Sequence, residues 1–378
     1  MSLSTIPTPA LLLDAAILER NLQRMQERAD RLKVRLRPHL KTHKCIPIAR
    51  WQERLGAKGV TVSTFYEAVR FAEAGFSDIL WAFPLPPVYA SRVAELASRV
   101  TLRTVVDSLD AKNALEAAAK AAHQKVHTWL KVDCGNHRAG VDPRSVLAED
   151  LIRALNESAV LTFDGILSHS GHAYAGRNRD DILAAAKEER DVMVDLAGRM
   201  RAKGFRVPEI SVGSTPAASV IDHYDGVDEM RPGNYAFHDY TMAMLGVCGV
   251  EDCALTVLTS VISHQPDARH VITDAGALAL SKDLGPTHLA NPMGMGPIFE
   301  DYERKRLHAH IHMGALSQEH GKIVAEMGAS LDGLFPVGDR VRVLEHHSCL
   351  AVPHHDEYIV IRDDEIVDRW PILKGRSV

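Results

Sequence analysis

Lys41 stands in RPHLKTHK, residues 37–44, just beyond a short apolar-flanked run and among other cationic and imidazole groups. Positive neighbours and partial burial both lower a lysine pKa, and the free amine so favoured is the form that makes Schiff bases with carbonyl compounds. Further along, SVGSTP at 211–216 presents Gly213, Ser214 and Thr215, and RPGNY at 231–235 presents Gly233 and Asn234. Both segments offer glycine-flanked backbone N–H groups of the kind that cradle a phosphate. VDCGNHRAGV places Arg138 between Gly135 and Gly140, a turn from which a five-donor guanidinium can swing back over a site. SHSGHAYAG carries His169, His172 and Tyr174 on one loop. Each segment alone also reads as an ordinary basic loop, turn or locally satisfied histidine. Their order along the chain is what makes them informative.

Two further segments could hold a metal. HAHIH sets His308, His310 and His312 at alternate positions, which on a strand puts the three imidazoles on one face; a surface strand with polar residues outward explains the same pattern. EHHSCLAV sets His347 and Cys349 two apart, read as one face of a strand following VRVL. Imidazole plus thiolate suits zinc, with water and substrate oxygens completing an open tetrahedron.

The elements that must position these residues follow from periodicity. Short apolar runs begin near Val34, Gly59, Asp78, Thr101, Val126, Thr162, Glu209 and Glu229, and amphipathic stretches rich in Ala, Leu, Glu, Lys and Arg separate them. Eight strands alternating with helices predict an α/β fold with a (β/α)8 TIM-like barrel over residues 1–245. Beyond it, residues 246–378 are β-rich and predict a mainly antiparallel β-domain; the strand-like residues 9–14 are assigned to that domain. In such a barrel the residues after each strand line the active face. The loops after the last two strands commonly bind phosphate, which is where SVGSTP and RPGNY fall. A Schiff-base lysine facing a phosphate cup meets the minimal requirements of a pyridoxal 5'-phosphate site.

Composition bounds the alternatives. The 378 residues carry 44 basic against 49 acidic side chains, a formal charge of -5, so no field draws the chain to nucleic acid or an anionic membrane. Small molecules are the expected partners. Five scattered cysteines, with no CxxC pair, argue against a disulfide framework and for a reducing compartment. No signal-peptide pattern or long apolar run occurs, so the expected location is cytoplasmic. The 20 histidines are the one oddity.

PTPALLLD, RPHLKTHK, WLKVDCGNHRAGV, SVGSTP and PGNY, in this order and over nearly the whole chain, resemble the alanine-racemase-type (fold type III) pyridoxal phosphate enzymes. Within them the chain is most similar to the metal-dependent group of D-serine dehydratases, D-threonine aldolases and D-threo-3-hydroxyaspartate dehydratases. The resemblance implies Lys41 as the cofactor-linked lysine, Arg138 at the pyridine 3'-oxygen, and His169 and Tyr174 near the ring. It places the phosphate on Gly213, Ser214, Thr215, Gly233 and Asn234, and the metal, zinc before manganese, on His347 and Cys349. The Cys form of that pair resembles the dehydratases, whereas typical D-threonine aldolases show Asp, and QEHG at 318–321 also matches the group without a role derived for Glu319 or His320. The implied activity is removal of water from a D-β-hydroxy-α-amino acid by a homodimer, with retro-aldol cleavage as the alternative. Racemization and simple cofactor carriage rank below both.

Overall fold

The computed structural model describes residues 3–265, 269–289 and 293–377. The chain separates into two compact units: residues up to Gln23 with Asn234–Lys374, and Arg24–Gly233 joined by the residues from Gly375. The division at Asn234 lies ahead of position 245, where the change of texture in the sequence becomes visible. The other division, between Gln23 and Arg24, cuts through the helix Ala15–Leu32.

After β1 (Ala10–Asp14), the strands β2 (Arg35–Leu36), β3 (Val60–Val62), β4 (Asp78–Pro84), β5 (Thr101–Val106), β6 (Val126–Lys131), β7 (Leu161–Leu167), β8 (Glu209–Val212) and β9 (Glu229–Met230) follow in chain order. The last eight of these form one parallel sheet, in the order β2-β9-β8-β7-β6-β5-β4-β3. It is the TIM-like layer expected from the alternating pattern. The two ends meet through the bridge His39–Thr61, where Leu40 N donates to Thr61 O at 2.8 Å and Thr61 N to Pro38 O at 2.9 Å. Helices begin on local signals. Thr64 and Glu67 make a reciprocal capping box at Phe65–Glu73, and Ser108, Ser145 and Asn178 cap the helices Leu109–Ala121, Val146–Glu157 and Arg179–Ala202.

The barrel interior is partly ionic. Arg37 bridges Glu229 (2.7 Å) and both oxygens of Asp78 (2.9 and 3.1 Å), and Arg103 joins Asp78 to Asp164. These bonds hold the Arg37 guanidinium above its ordinary pKa against the cost of burial. Removing one member of such a network strands a buried charge, here Glu229, which is fully buried. Arg37→Ala is expected to destabilise the chain by about 3–5 kcal/mol, measured by denaturant unfolding.

In the other unit β10 (Leu255–Ser263), β11 (His270–Thr273), β12 (Pro297–Asp301), β13 (Arg306–Leu316), β14 (Gly321–Ala325) and β15 (Arg340–Val343) close on themselves in the order β10-β11-β14-β13-β12-β15. β10 also pairs with β1, which in turn pairs in parallel with β16 (Glu357–Arg362), and β17 (Glu365–Pro371) forms the hairpin edge. The apolar run ALLLD is buried along almost its whole length, as a strand covered on both faces requires. Asp14 ends it and caps the following helix by accepting from Ala16 N and Ile17 N, each at 3.1 Å. Among the described residues no helix is long and apolar enough to cross a membrane.

Candidate active site

The loops at the C-terminal ends of the barrel strands bring most of the predicted residues together. Lys41 follows β2, half-buried, with its backbone N 3.5 Å from His39 Nδ1. His169 follows β7 and donates from Nδ1 to Gly213 O at 2.6 Å, an assignment that leaves Nε2 as the acceptor. Burial, then the positive charges of Lys41 and its neighbours, hold both His39 and His169 well below the usual imidazole pKa, so each ring is neutral near pH 7. Arg138 lies exposed in its turn, yet its charge reaches both His169 and Lys131.

The segment after β8 is tightly built. Gly213 has φ +151°, and a Cβ there would lie 2.8 Å from Arg231 N. Only glycine lets the two strand exits approach so closely. Ser214 caps the helix Thr215–Val220, accepting from Ala217 N, and sits 3.2 Å from Ser170 Oγ; Thr215 is buried at the helix start. At Gly233 an added Cβ would meet His39 O at 2.8 Å and Thr42 Oγ1 at 2.9 Å. Asn234 falls in the other unit, where its Nδ2 donates to Asp239 Oδ2 at 2.6 Å. Tyr174 is half-buried in the turn Gly171–Ala175, beside His172, which lies 3.7 Å from Glu188.

Several residues here escaped sequence reasoning. Lys131, the last residue of β6, is buried, and burial followed by Arg231 pulls its pKa down to about 7. It reads in the sequence as one more residue of a strand. Arg231 is also buried, its guanidinium donating to Ser211 Oγ and Ser168 O. The Lys131 shift has a stability consequence with a definite sign. A lysine whose pKa falls on folding costs stability fully below the folded value, and the cost fades as pH rises toward the unfolded value of 10.5. Lys131→Met is therefore expected to be more stable than the natural protein at pH 6.5, with the gap closing toward pH 10, as read by paired denaturant titrations.

In the β-unit, His347 and Cys349 do not lie on a strand as the sequence pattern suggested. β15 ends at Val343, and His347 precedes the four-residue helix Ser348–Ala351. Ser348 explains the break: its Oγ lies at hydrogen-bond distance, 2.7 Å, from both His238 O and Glu345 Oε1, and its N–H donates to Asp239 Oδ2, so the backbone turns instead of continuing the ladder. The turn still places the imidazole against the Cys349 thiol. His347 Nδ1 bonds Asp239 Oδ2 at 2.9 Å. Asp239, with no spacing signal to mark it, is fully buried; burial favours its neutral form, yet the bonds from His347, Asn234 and Met242 N keep its pKa below the ordinary value. For His347 burial opposes protonation, while Cys349 and Asp239 outweigh it and raise the pKa well above normal. Among the described residues no group of three or more His, Cys, Asp or Glu side chains is arranged to hold a metal. Of the HAHIH histidines, His310 bonds Glu326 at 3.1 Å, His312 lies 3.9 Å from the same carboxylate with its Nδ1 buried and without a hydrogen bond among the described residues, and His308 packs edge-on to Phe335.

Comparison with known proteins defines the class. Residues 13–241 match the alanine racemase N-terminal domain and residues 254–361 a serine dehydratase domain. The chain belongs to the alanine-racemase-type family, the fold type III pyridoxal phosphate enzymes. It is 37% identical to a D-threo-3-hydroxyaspartate dehydratase of Delftia sp. strain HT23 over 99% of both chains. It is 33% identical to a D-serine dehydratase of Dictyostelium discoideum, covering 96% of this chain and 95% of that one. A D-threonine aldolase of Arthrobacter sp. is 30% identical, over 98% and 93% of the two chains. The solved structure of the Delftia dehydratase superposes with a TM-score of 0.94 at 36% identity over 99% of each chain. A cysteine-to-alanine variant of a D-threo-3-hydroxyaspartate dehydratase, solved in a metal-free form, superposes with a TM-score of 0.93 at 35% identity, over 99% of this chain and 100% of that one.

Proposed function

We propose that this protein is a pyridoxal phosphate- and metal-dependent lyase that eliminates water from D-threo-3-hydroxyaspartate or D-serine, the released enamine tautomerising to an imine that a water molecule hydrolyses to a 2-oxo acid and ammonia. The observation that carries the reading is the gathering of Lys41, Lys131, Arg138 and Arg231 around the neutral rings of His39 and His169 at the barrel mouth. A primary amine in a cationic surround fits an aldehyde cofactor with an anionic phosphate. The glycine exits at Gly213 and Gly233, where an added Cβ would strike Arg231 N and His39 O, pack these strand ends closely at the place where such a phosphate would sit. Ser214, Thr215 and the N–H groups beside them would hold it.

The His347–Cys349 pair fits a divalent metal with open positions, zinc first and manganese second. Asp239 on Nδ1 would fix the imidazole tautomer and leave Nε2 available as the ligand atom, the usual support for a metal-bound histidine.

The bound cofactor supplies a sink for the charge that develops at the substrate α-carbon, and the metal a Lewis acid for its β-hydroxyl. The chain's own part is to move and exclude protons. Lys41 Nζ takes the α-proton; His39 and His169, held neutral, neither compete for it nor repel the cationic amine that results. His169, tied to Gly213 O, presents one fixed face. We further expect a homodimer, which light scattering checks.

Incubation with D-threo-3-hydroxyaspartate, D-serine and D-threonine tests the reading. A 2-oxo acid and ammonia in equal amounts are expected from the first two. Glycine and an aldehyde without oxo acid would replace the proposal with the aldolase alternative.

A further inference from the structure

The helix Arg179–Ala202 buries a carboxylate where an aliphatic side chain would pack at less cost. Glu189 is fully buried, and taking a charge out of water costs several kcal/mol unless strong partners repay it. Its Oε1 accepts from Ser168 Oγ at 2.7 Å and from Gly213 N at 3.3 Å, and lies 3.9 Å from Cys134 Sγ. Those three residues leave β6, β7 and β8, so one oxygen ties together three successive strand exits. Gly213 is thereby held on both sides, its N–H by Glu189 and its carbonyl by His169 Nδ1. Ser168 is held likewise, its hydroxyl by Glu189 and its carbonyl by Arg231. Oε2 has no hydrogen-bond partner among the described residues, so the carboxylate is not a closed structural ion pair.

We propose that Glu189 is the positioning residue of the phosphate cup: it fixes Gly213 by its N–H, and through the Gly213 carbonyl the His169 ring, from behind, without touching the cofactor. This rests on the cofactor reading above. Two residues of the cup depend on it, one by its N–H and one through the carbonyl that fixes the imidazole.

The test is equilibrium binding of pyridoxal phosphate and of pyridoxal, which lacks the phosphate, to the full-length natural protein, Glu189→Ala, Glu189→Gln and Ser168→Ala, read by the Lys41-dependent absorbance and by thermal unfolding. Losing a bond to a charged group predicts that Glu189→Ala weakens pyridoxal phosphate binding about 10- to 100-fold while pyridoxal changes less than about threefold. Glu189→Gln retains an acceptor oxygen for Gly213 N and is expected to stay within about fivefold of the natural protein. An unchanged ratio of the two affinities in Glu189→Ala overturns the proposal. Should that variant fail to fold, Ser168→Ala, which removes one of the two bonds, decides: a shift of about three- to tenfold in the same direction supports the proposal, and an unchanged ratio overturns it. Failure of the cofactor reading looks different, because the natural protein itself would then show no Lys41-dependent absorbance with either compound.

Discussion

Lys41→Ala is expected to abolish both the cofactor's lysine-linked absorbance and turnover, the latter by about a thousandfold or more, because the linking amine and the base are the same group. The loss should be local. Substitution of a half-buried loop lysine is expected to shift unfolding by less than about 1 kcal/mol, so a folded, colourless protein is the outcome. The electrostatics give a second readout with a definite sign. After burial itself, Lys41 is the strongest charge depressing the His39 and His169 pKa values, and its removal should raise both, measurable by NMR titration of the imidazoles. A variant that keeps an unchanged lysine-type absorbance would reject the assignment.

The second large effect concerns the His347–Cys349 pair. His347→Ala and Cys349→Ala are each expected to lose stoichiometric metal, by elemental analysis after gel filtration, and to lose about a hundredfold in activity on a β-hydroxy substrate. Asp239→Asn should fall between these and the natural protein. It keeps the ligands but removes the anion that orients the imidazole, a change that typically costs about 10- to 100-fold in metal affinity. Lowering the pH should release the metal from all forms, since thiolate and neutral imidazole are the ligating states and protons compete for both. Metal content in Cys349→Ala equal to that of the natural protein would remove the pair from the account.

Much of this architecture is legible in the sequence because it repeats. Alternating strand and helix periods mark the parallel sheet, and the residues just beyond each strand mark its active face, so Lys41, His169 and Gly213 follow from position. Residues whose importance lies in burial are not legible in that way. Lys131 and Arg231 look like ordinary charges on a strand and in a turn, and Glu189 looks like one more polar residue in the helical run AKEERDV; only the fold shows that their side chains face inward. Asp239 reads as a loop aspartate until the chain brings it to His347, 108 residues away. The strand expected through His347 and Cys349 failed for a local reason: Ser348 offers side-chain and backbone bonds that compete with the ladder. The surplus of histidine misleads in the opposite sense, since HAHIH draws the eye while His310 bonds Glu326 and His308 packs on Phe335.

The most direct test of the central claim is reconstitution of protein stripped of both cofactor and metal, assayed for ammonia and 2-oxo acid from D-threo-3-hydroxyaspartate and D-serine. Equal yields of the two products are predicted only when pyridoxal phosphate and zinc or manganese are restored together, with neither alone sufficient. Full turnover with the cofactor alone, or glycine as the only amino-acid product in the complete mixture, would contradict it.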